Sequence, residues 1–350
     1  MAMKSVRKKL YIEMKCLISF LTLLVLQCST LNSSKTEFFS IQMPYLKPIH
    51  EESLYCVTKR LNSLKEIDII QFEPNANEKT AHHMLIYGCA TPGSNKPLFN
   101  CGSMNKIENQ YGWPTYPCES GSQIIYSWAK NATHLILPKG VSFKVGGGNE
   151  IQWLVLQVHY SSVQYIPKAG DSSGVKIVYT EESQPKTAAV LFTSTRSGRI
   201  PSGSETWMDV ACIFKDDDVI IHPFAFRVHT HALGRVVSGY KVENQGKTWT
   251  LLGKGDPQLP QMFYPTNNIT MRKGDTLATR CTMVNDRDTA VWIGATKENE
   301  MCNFYLMYWV ENRKLLSTKD CKSFGPPIYS WEGVFFGANL KNIPTDSNIL

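Results

Sequence analysis

The sequence predicts an all-β protein of two antiparallel, jelly-roll-like sandwiches held by disulfides. Three observations carry this. Short alternating or apolar runs recur between Gly, Pro and Asn punctuation, no long stretch has a helical period, and the cysteines suit an oxidising compartment. The runs are "HMLIYGC", "IQWLVLQVHY", "SGVKIVYT", "AAVLFTS", "DVIIHPFAFRVHTH", "GRVVSGYKV", "AVWIGAT" and "NFYLMYWV", separated by turns such as "LPKG", "VGGGNE", "IPSGSE" and "KGDPQLP". Strands so spaced favour sandwiches and jelly rolls.

The first element is not part of that fold. Basic Lys4, Arg7, Lys8 and Lys9 precede the apolar "CLISFLTLLVL", and polar residues follow. This is the pattern of a secretory signal peptide over residues 1–28, with a signal-anchor as the alternative. The segment carries +4 of the formal +7 net charge, so the remainder has no basic cluster and no support for nucleic-acid binding. No further run is long enough to span a membrane, which implies no membrane anchor and a protein of the secretory lumen or exterior. Sequons at Asn32, Asn131 and Asn268 suit a glycosylated surface.

Two domains follow. A polar break, "TEESQPKT", separates residues 36–182 from 187–322, and residues 323–350 read as an extension with little strand patterning. Besides Cys16 and Cys28, eight cysteines remain, four on each side of the break: Cys56, Cys89, Cys101 and Cys118, then Cys212, Cys281, Cys302 and Cys321. None forms a CxxC pair, which argues against a zinc ribbon or a thioredoxin site.

The chemistry concentrates in a few strands. Arg227, His229 and His231 sit at spacing two, so a strand would place them on one face. Met301, Asn303 and Tyr305 share that spacing. A thioether suits Cu(I), which also accepts imidazole, so His229, His231 and Met301 fit a copper site. His82 and His83 are adjacent and share an ion only if the backbone twists or bulges there. With His159 they would make an all-nitrogen site in the first domain. The histidine motifs carry no neighbouring carboxylate, which disfavours zinc hydrolysis, and no GxSxG or Gly-rich phosphate loop is present.

The segments "HHMLIYGC", "LPKGVSFKVGG", "WLVLQVHY", "FRVHTHALGRVVSGY", "PQLPQMFYP" and "EMCNFYLMY" occur in an order that resembles the peptidylglycine α-hydroxylating monooxygenases, over roughly residues 40–321. The resemblance implies two β-sandwiches facing across a solvent-filled cleft, each with one copper. His82, His83 and His159 would hold the electron-transfer copper, and His229, His231 and Met301 the catalytic copper. Arg227, Asn303 and Tyr305 would anchor the substrate, with Arg227 holding the carboxylate of a peptide ending in glycine. The implied reaction is hydroxylation of that glycine Cα with O₂ and two electrons from ascorbate. The implied disulfides are Cys56–Cys101, Cys89–Cys118, Cys212–Cys321 and Cys281–Cys302. A further bridge of some relatives would end at Ser173, which suggests a less firmly held N-terminal segment. With no lyase domain before Leu350, the expectation is a monomeric hydroxylase served by a separate lyase. The alternatives are a dopamine or tyramine β-monooxygenase-like hydroxylase and a non-catalytic, copper-dependent binder of peptide C-termini. His222, His50 and His134 are read as packing or loop residues.

Overall fold

A computed structural model describes residues 35–102 and 111–350; the signal-peptide reading of residues 1–28 and the Asn32 sequon lie outside the described residues. The described residues contain strands and no α-helix, as the patterning predicts. One long sheet runs, in spatial order, through Thr36–Gln42, Gly174–Thr180, Glu66–Asn75, Val141–Gly146, Lys186–Ser197, Asn303–Val310, His222–His229 and Tyr264–Pro265. Along this path its pairings are antiparallel except at Val141↔Lys186 and Ser142↔Thr187. There the first half of the chain hands over to the second.

Two further sheets complete the layers. One contains Ser53–Arg60, Trp153–Tyr160, His83–Cys89 and Gln123–Ala129, with the short Leu98–Asn100 at its edge. The other is ordered Ser204–Ile213, Thr276–Asn285, Gly234–Glu243 and Thr248–Gly255. Most predicted runs become strands, but "AVWIGAT" contributes only Val291–Trp292.

The second-half strands of the long sheet are covered on both faces. Ala188, Val190, Ala225, Tyr305 and Met307 enter the core built by the first half. Their neighbours Ala189, Leu191, Phe226, Phe304 and Leu306 enter the core of the second. A strand buried on both sides reads as a continuous apolar run, which is why "NFYLMYWV" shows no polar alternation. A polar residue on the first face therefore points into the ground between the two cores. Arg227, His229, Asn303 and Tyr305 occupy that face.

The four expected disulfides are formed, with Cα–Cα separations of 5.7, 5.5, 5.9 and 5.8 Å, inside the range a bridge requires. The N-terminal segment, which lacks the further bridge, is joined to the fold by strand pairing. Thr36–Gln42 pairs residue for residue with Gly174–Thr180, and the Met43 N–H donates to Ser173 O at 2.9 Å.

The C-terminal extension is also anchored. Trp331 is fully buried, and its backbone N–H donates to Asp209 Oδ2 and its Nε1 to Val210 O, both at 2.9 Å. Asp209 accepts from Arg280 Nε at 2.7 Å, and the Arg280 guanidinium lies 4.2 Å from the Trp331 ring and 4.4 Å from that of Trp207. Arg280 Nη1 also donates to Ser347 Oγ at 3.1 Å. Trp331→Ala should cost about 3–5 kcal/mol, read as a lower denaturation midpoint. An unchanged midpoint would show that the extension does not dock.

Candidate metal centres

The first cluster forms where two strands end together. His83 opens its strand opposite His159. His82 lies just before that strand, and its N–H donates to His159 O at 2.9 Å. No bulge is needed, since the strand begins between the two histidines. The Nδ1 atoms converge: His82 to His159 at 3.2 Å and His83 to His82 at 3.3 Å. The candidate ligand atoms of all three lie within 4.8 Å of one another. His159 Nε2 sits 3.0 Å from Glu52 Oε2, so Nε2 carries the proton and Nδ1 offers a lone pair. Burial, reinforced by His159, lowers the His82 pKa to about 4, and burial holds His83 well below its usual value. Both are neutral at physiological pH, as ligands must be.

The second cluster sits at the end of the neighbouring sheet. His229 closes its strand and His231 follows it, so the sequence expectation of one continuous strand face holds for Arg227 and His229 only. Likewise Met301 precedes the strand that starts at Asn303. Glu300 arranges both ends. It is fully buried and accepts from the backbone N–H groups of His231 at 2.9 Å, Leu233 at 2.7 Å and Met301 at 3.3 Å. His231 Nδ1 lies 2.9 Å from the Asn299 carbonyl, which can only accept, so the proton is on Nδ1. Its Nε2 is buried without a partner. His229 Nδ1 donates in the same way to Gln261 Oε1 at 2.7 Å. Each imidazole is thus oriented by one nitrogen with the other left for a ligand. Imidazole with thioether is a donor set for copper, and a metal on His231 Nε2 would satisfy that orphaned atom.

The two clusters touch. Ring centroids are 6.2 Å apart for His82 and His231 and 5.9 Å for His83 and His229. The solvent-filled cleft expected between the halves is closed here, leaving two small cavities on either side of the histidine layer. One, of ≈ 220 Å³, is lined by His83, His229, Arg227, Met301, Asn303 and Tyr305, among others. The other, of ≈ 230 Å³, is lined by His82, His229, His231, Lys130 and Lys297, among others.

Arg227 is the unusual member. It is 1% exposed, its Nε donates to Gln261 O at 2.7 Å and its Nη2 to Gln261 Oε1 at 3.1 Å. Its Nη1 is buried without a hydrogen-bond partner, and among the described residues no carboxylate pairs with it. Arg227 faces Tyr305, and His229 faces Asn303, across neighbouring strands.

Glu52, Gln261, Asn299 and Glu300 were not legible as site residues. The histidine motifs are carboxylate-free in sequence, yet folding brings Glu52 to His159 and Glu300 to His231 from 107 and 69 residues away. Both are engaged in fixing ligand segments, and neither lines either of these two cavities, which does not favour a hydrolytic base. His222 stacks on Trp309 at 3.8 Å between centroids, in keeping with its packing role.

Residues 39–167 match the "Copper type II ascorbate-dependent monooxygenase, N-terminal domain" and residues 186–334 the corresponding C-terminal domain. The chain belongs to the copper type II ascorbate-dependent monooxygenases. It is 40% identical over 88% of its length to Peptidyl-glycine alpha-amidating monooxygenase A of Xenopus laevis and 37% identical to Peptidylglycine alpha-amidating monooxygenase of Rattus norvegicus. Dopamine beta-hydroxylase of Homo sapiens is more distant, at 26% over 81% of the chain and 47% of that protein. The chain spans about a third of the amidating relatives, 31% and 29% of their lengths.

Two outcomes follow. Glu300→Ala removes the acceptor shared by three N–H groups and should weaken metal affinity at the second cluster by roughly 10–100-fold while sparing the first. Titration of the metal-free protein with copper checks this, and equal loss at both clusters would contradict it. The second concerns pH. An unfolded histidine binds its proton near the ordinary 6.5 and folded His82 only near 4. Between these values the unfolded state holds more protons, so stability of the metal-free protein should fall as pH drops through that window. Urea midpoints at several pH values should show the slope, and His82→Gln should reduce it, leaving the share of His83 and His229.

Proposed function

We propose that this chain hydroxylates the Cα of a C-terminal glycine in peptides, the first step of C-terminal amidation. The observation that carries this is the buried Arg227 guanidinium with an unpartnered Nη1 in a small cavity beside His229 and Met301. The guanidinium is held by Gln261 and lies 5.0 Å from the Tyr305 ring but has no carboxylate partner, and a bidentate carboxylate is the natural complement of a buried cation. A peptide is anchored by its terminus there, since the cavity admits little more than one residue.

The register sets what lies next to the carboxylate. Arg227 and His229 are two residues apart on one strand, roughly 7 Å along it. A terminal carboxylate on Arg227 therefore leaves its α-carbon on the side of His229 and Met301. Asn303 and Tyr305, directly across the strand pair, supply polar groups that fix the terminal residue, and closure of the cleft excludes bulk water. Holding the reacting carbon in place supplies a large share of rate enhancement.

His229, His231 and Met301 would hold the copper at the reacting centre, and His82, His83 and His159 the copper that stores the second electron. When bound, these ions supply one-electron chemistry with O₂. Overall, peptide, O₂, two electrons and two protons give hydroxylated peptide and water, with ascorbate as electron donor. The hydroxyglycine product is then the substrate of a lyase. Four disulfides and the similarity to the amidating monooxygenases support a place in the secretory pathway. A monomer is sufficient for the chemistry, because both clusters come from one chain. An amine β-hydroxylase is disfavoured by Arg227, since an ammonium beside a buried guanidinium without a carboxylate adds like charge.

Mass spectrometry of a glycine-extended peptide with the copper-loaded protein, ascorbate and air should show gain of one oxygen. Arg227→Gln should lower kcat/KM by roughly 10- to 100-fold, the value of a hydrogen bond to a charged group, mainly through KM and without loss of copper. Met301→Ile should abolish turnover and keep peptide binding. Oxygen added only to a phenolic amine, or no product from either substrate, would overturn the reading.

A further inference from the structure

The histidine layer has a cavity on each side, and the proposed hydroxylation uses one. The second cavity contacts both clusters, through His82 of the first and His229 and His231 of the second. It has no arginine. Its cations are Lys130 and Lys297, which come from opposite halves of the chain. Lys130 is half-buried, and its Nζ donates to Pro257 O at 3.0 Å and Gln258 Oε1 at 3.1 Å. Among the described residues no carboxylate lies within ion-pair distance of Lys130, whereas Lys297 lies 3.6 Å from Glu51 at the exposed rim. At ≈ 230 Å³ the cavity is smaller than the roughly 300–1,000 Å³ of sites for drug-sized ligands. It suits a small anion and not a peptide.

We propose that this second cavity is the docking site of the anionic reductant, ascorbate, with Lys130 and Lys297 as its charge partners. The site rests on the reading that the two clusters hold redox copper. Ascorbate is a monoanion at neutral pH, and two lysines at the mouth of a low-dielectric cavity draw it in and hold it. From there both clusters are in contact with the same bound molecule, so one site serves both metals. Each ascorbate monoanion would give up one electron and one proton and leave as the monodehydroascorbate radical anion, the electron passing to a copper(II) held by the histidine clusters. A pair of ascorbates supplies the two electrons of a turnover. Peptide occupies the opposite cavity, so reductant and peptide do not compete for space.

The test separates this site from peptide hydroxylation. Saturation-transfer NMR of ascorbate with the metal-free protein, under anaerobic conditions and without peptide, reads binding alone. The Lys130→Gln, Lys297→Gln double variant should weaken binding at least fivefold. The Arg variants at both positions should restore it. Lys297→Gln alone, on an exposed side chain, should give part of the loss and guards against misfolding of the Lys130 variant. With copper loaded, rapid-mixing loss of the copper(II) EPR signal should slow by a similar factor at low ascorbate, while the resting signal stays unchanged. Unchanged binding in the double and Lys297 variants would overturn the proposal. So would displacement of ascorbate by a glycine-extended peptide, which would place it in the Arg227 cavity. A protein that fails to hydroxylate peptides but loses ascorbate binding in these variants would retain this site and lose the peptide reading.

Discussion

The structure depends on three strands being covered on both faces. Lys186–Ser197, Asn303–Val310 and His222–His229 contribute alternate side chains to two different cores. Their positions are therefore set twice, once by each half of the molecule. A polar side chain on the face toward the first half has nowhere to reach solvent, so it must be paired, bound to a ligand or costly. Arg227 and His229 are on this face, and the same packing presses the second histidine cluster against the first. The cluster contacts are thus a consequence of core packing and need no special linker.

Three of the candidate ligand imidazoles, those of His159, His229 and His231, follow one rule. A carbonyl or carboxylate takes the proton of one ring nitrogen, and the other nitrogen is left facing the remaining ligands. Glu52 does this for His159, Gln261 for His229 and Asn299 for His231. Gln261 also accepts from Arg227 Nη2, so a single amide couples the orientation of a ligand to that of the proposed substrate anchor. Glu300 acts on backbone instead, holding the turn after His229 and the approach to Met301 together. These contacts give the sites their rigidity, and rigidity is what positioning catalysis requires.

Much of this was legible from residue order. The strand runs and candidate histidines follow from local patterning, and the disulfide partners only from the resemblance to the family. What was not legible depends on contacts between distant segments. Glu52 and Glu300 look like ordinary surface acids in "HEES" and "KENEM", and only folding buries them against backbone and imidazole N–H groups. The ends of strands were misplaced by one or two residues because alternation continues through His231 and Met301 while hydrogen bonding stops earlier. The shared core was hidden because a strand buried on both faces has the same apolar composition as one at the centre of a single sandwich. Closure of the cleft is likewise a property of packing between halves and has no local signature.

The proposed substrate anchor is a buried guanidinium that lacks a carboxylate partner, next to a histidine–thioether cluster. The most direct measurement is calorimetric binding of one peptide in two forms, with a free C-terminal glycine and with that terminus amidated, to the metal-free protein. The free acid should bind at least tenfold more tightly, the worth of one charge-assisted hydrogen bond. Equal affinity for the two forms would show that Arg227 does not read the carboxylate, and the account of substrate placement would fail with it.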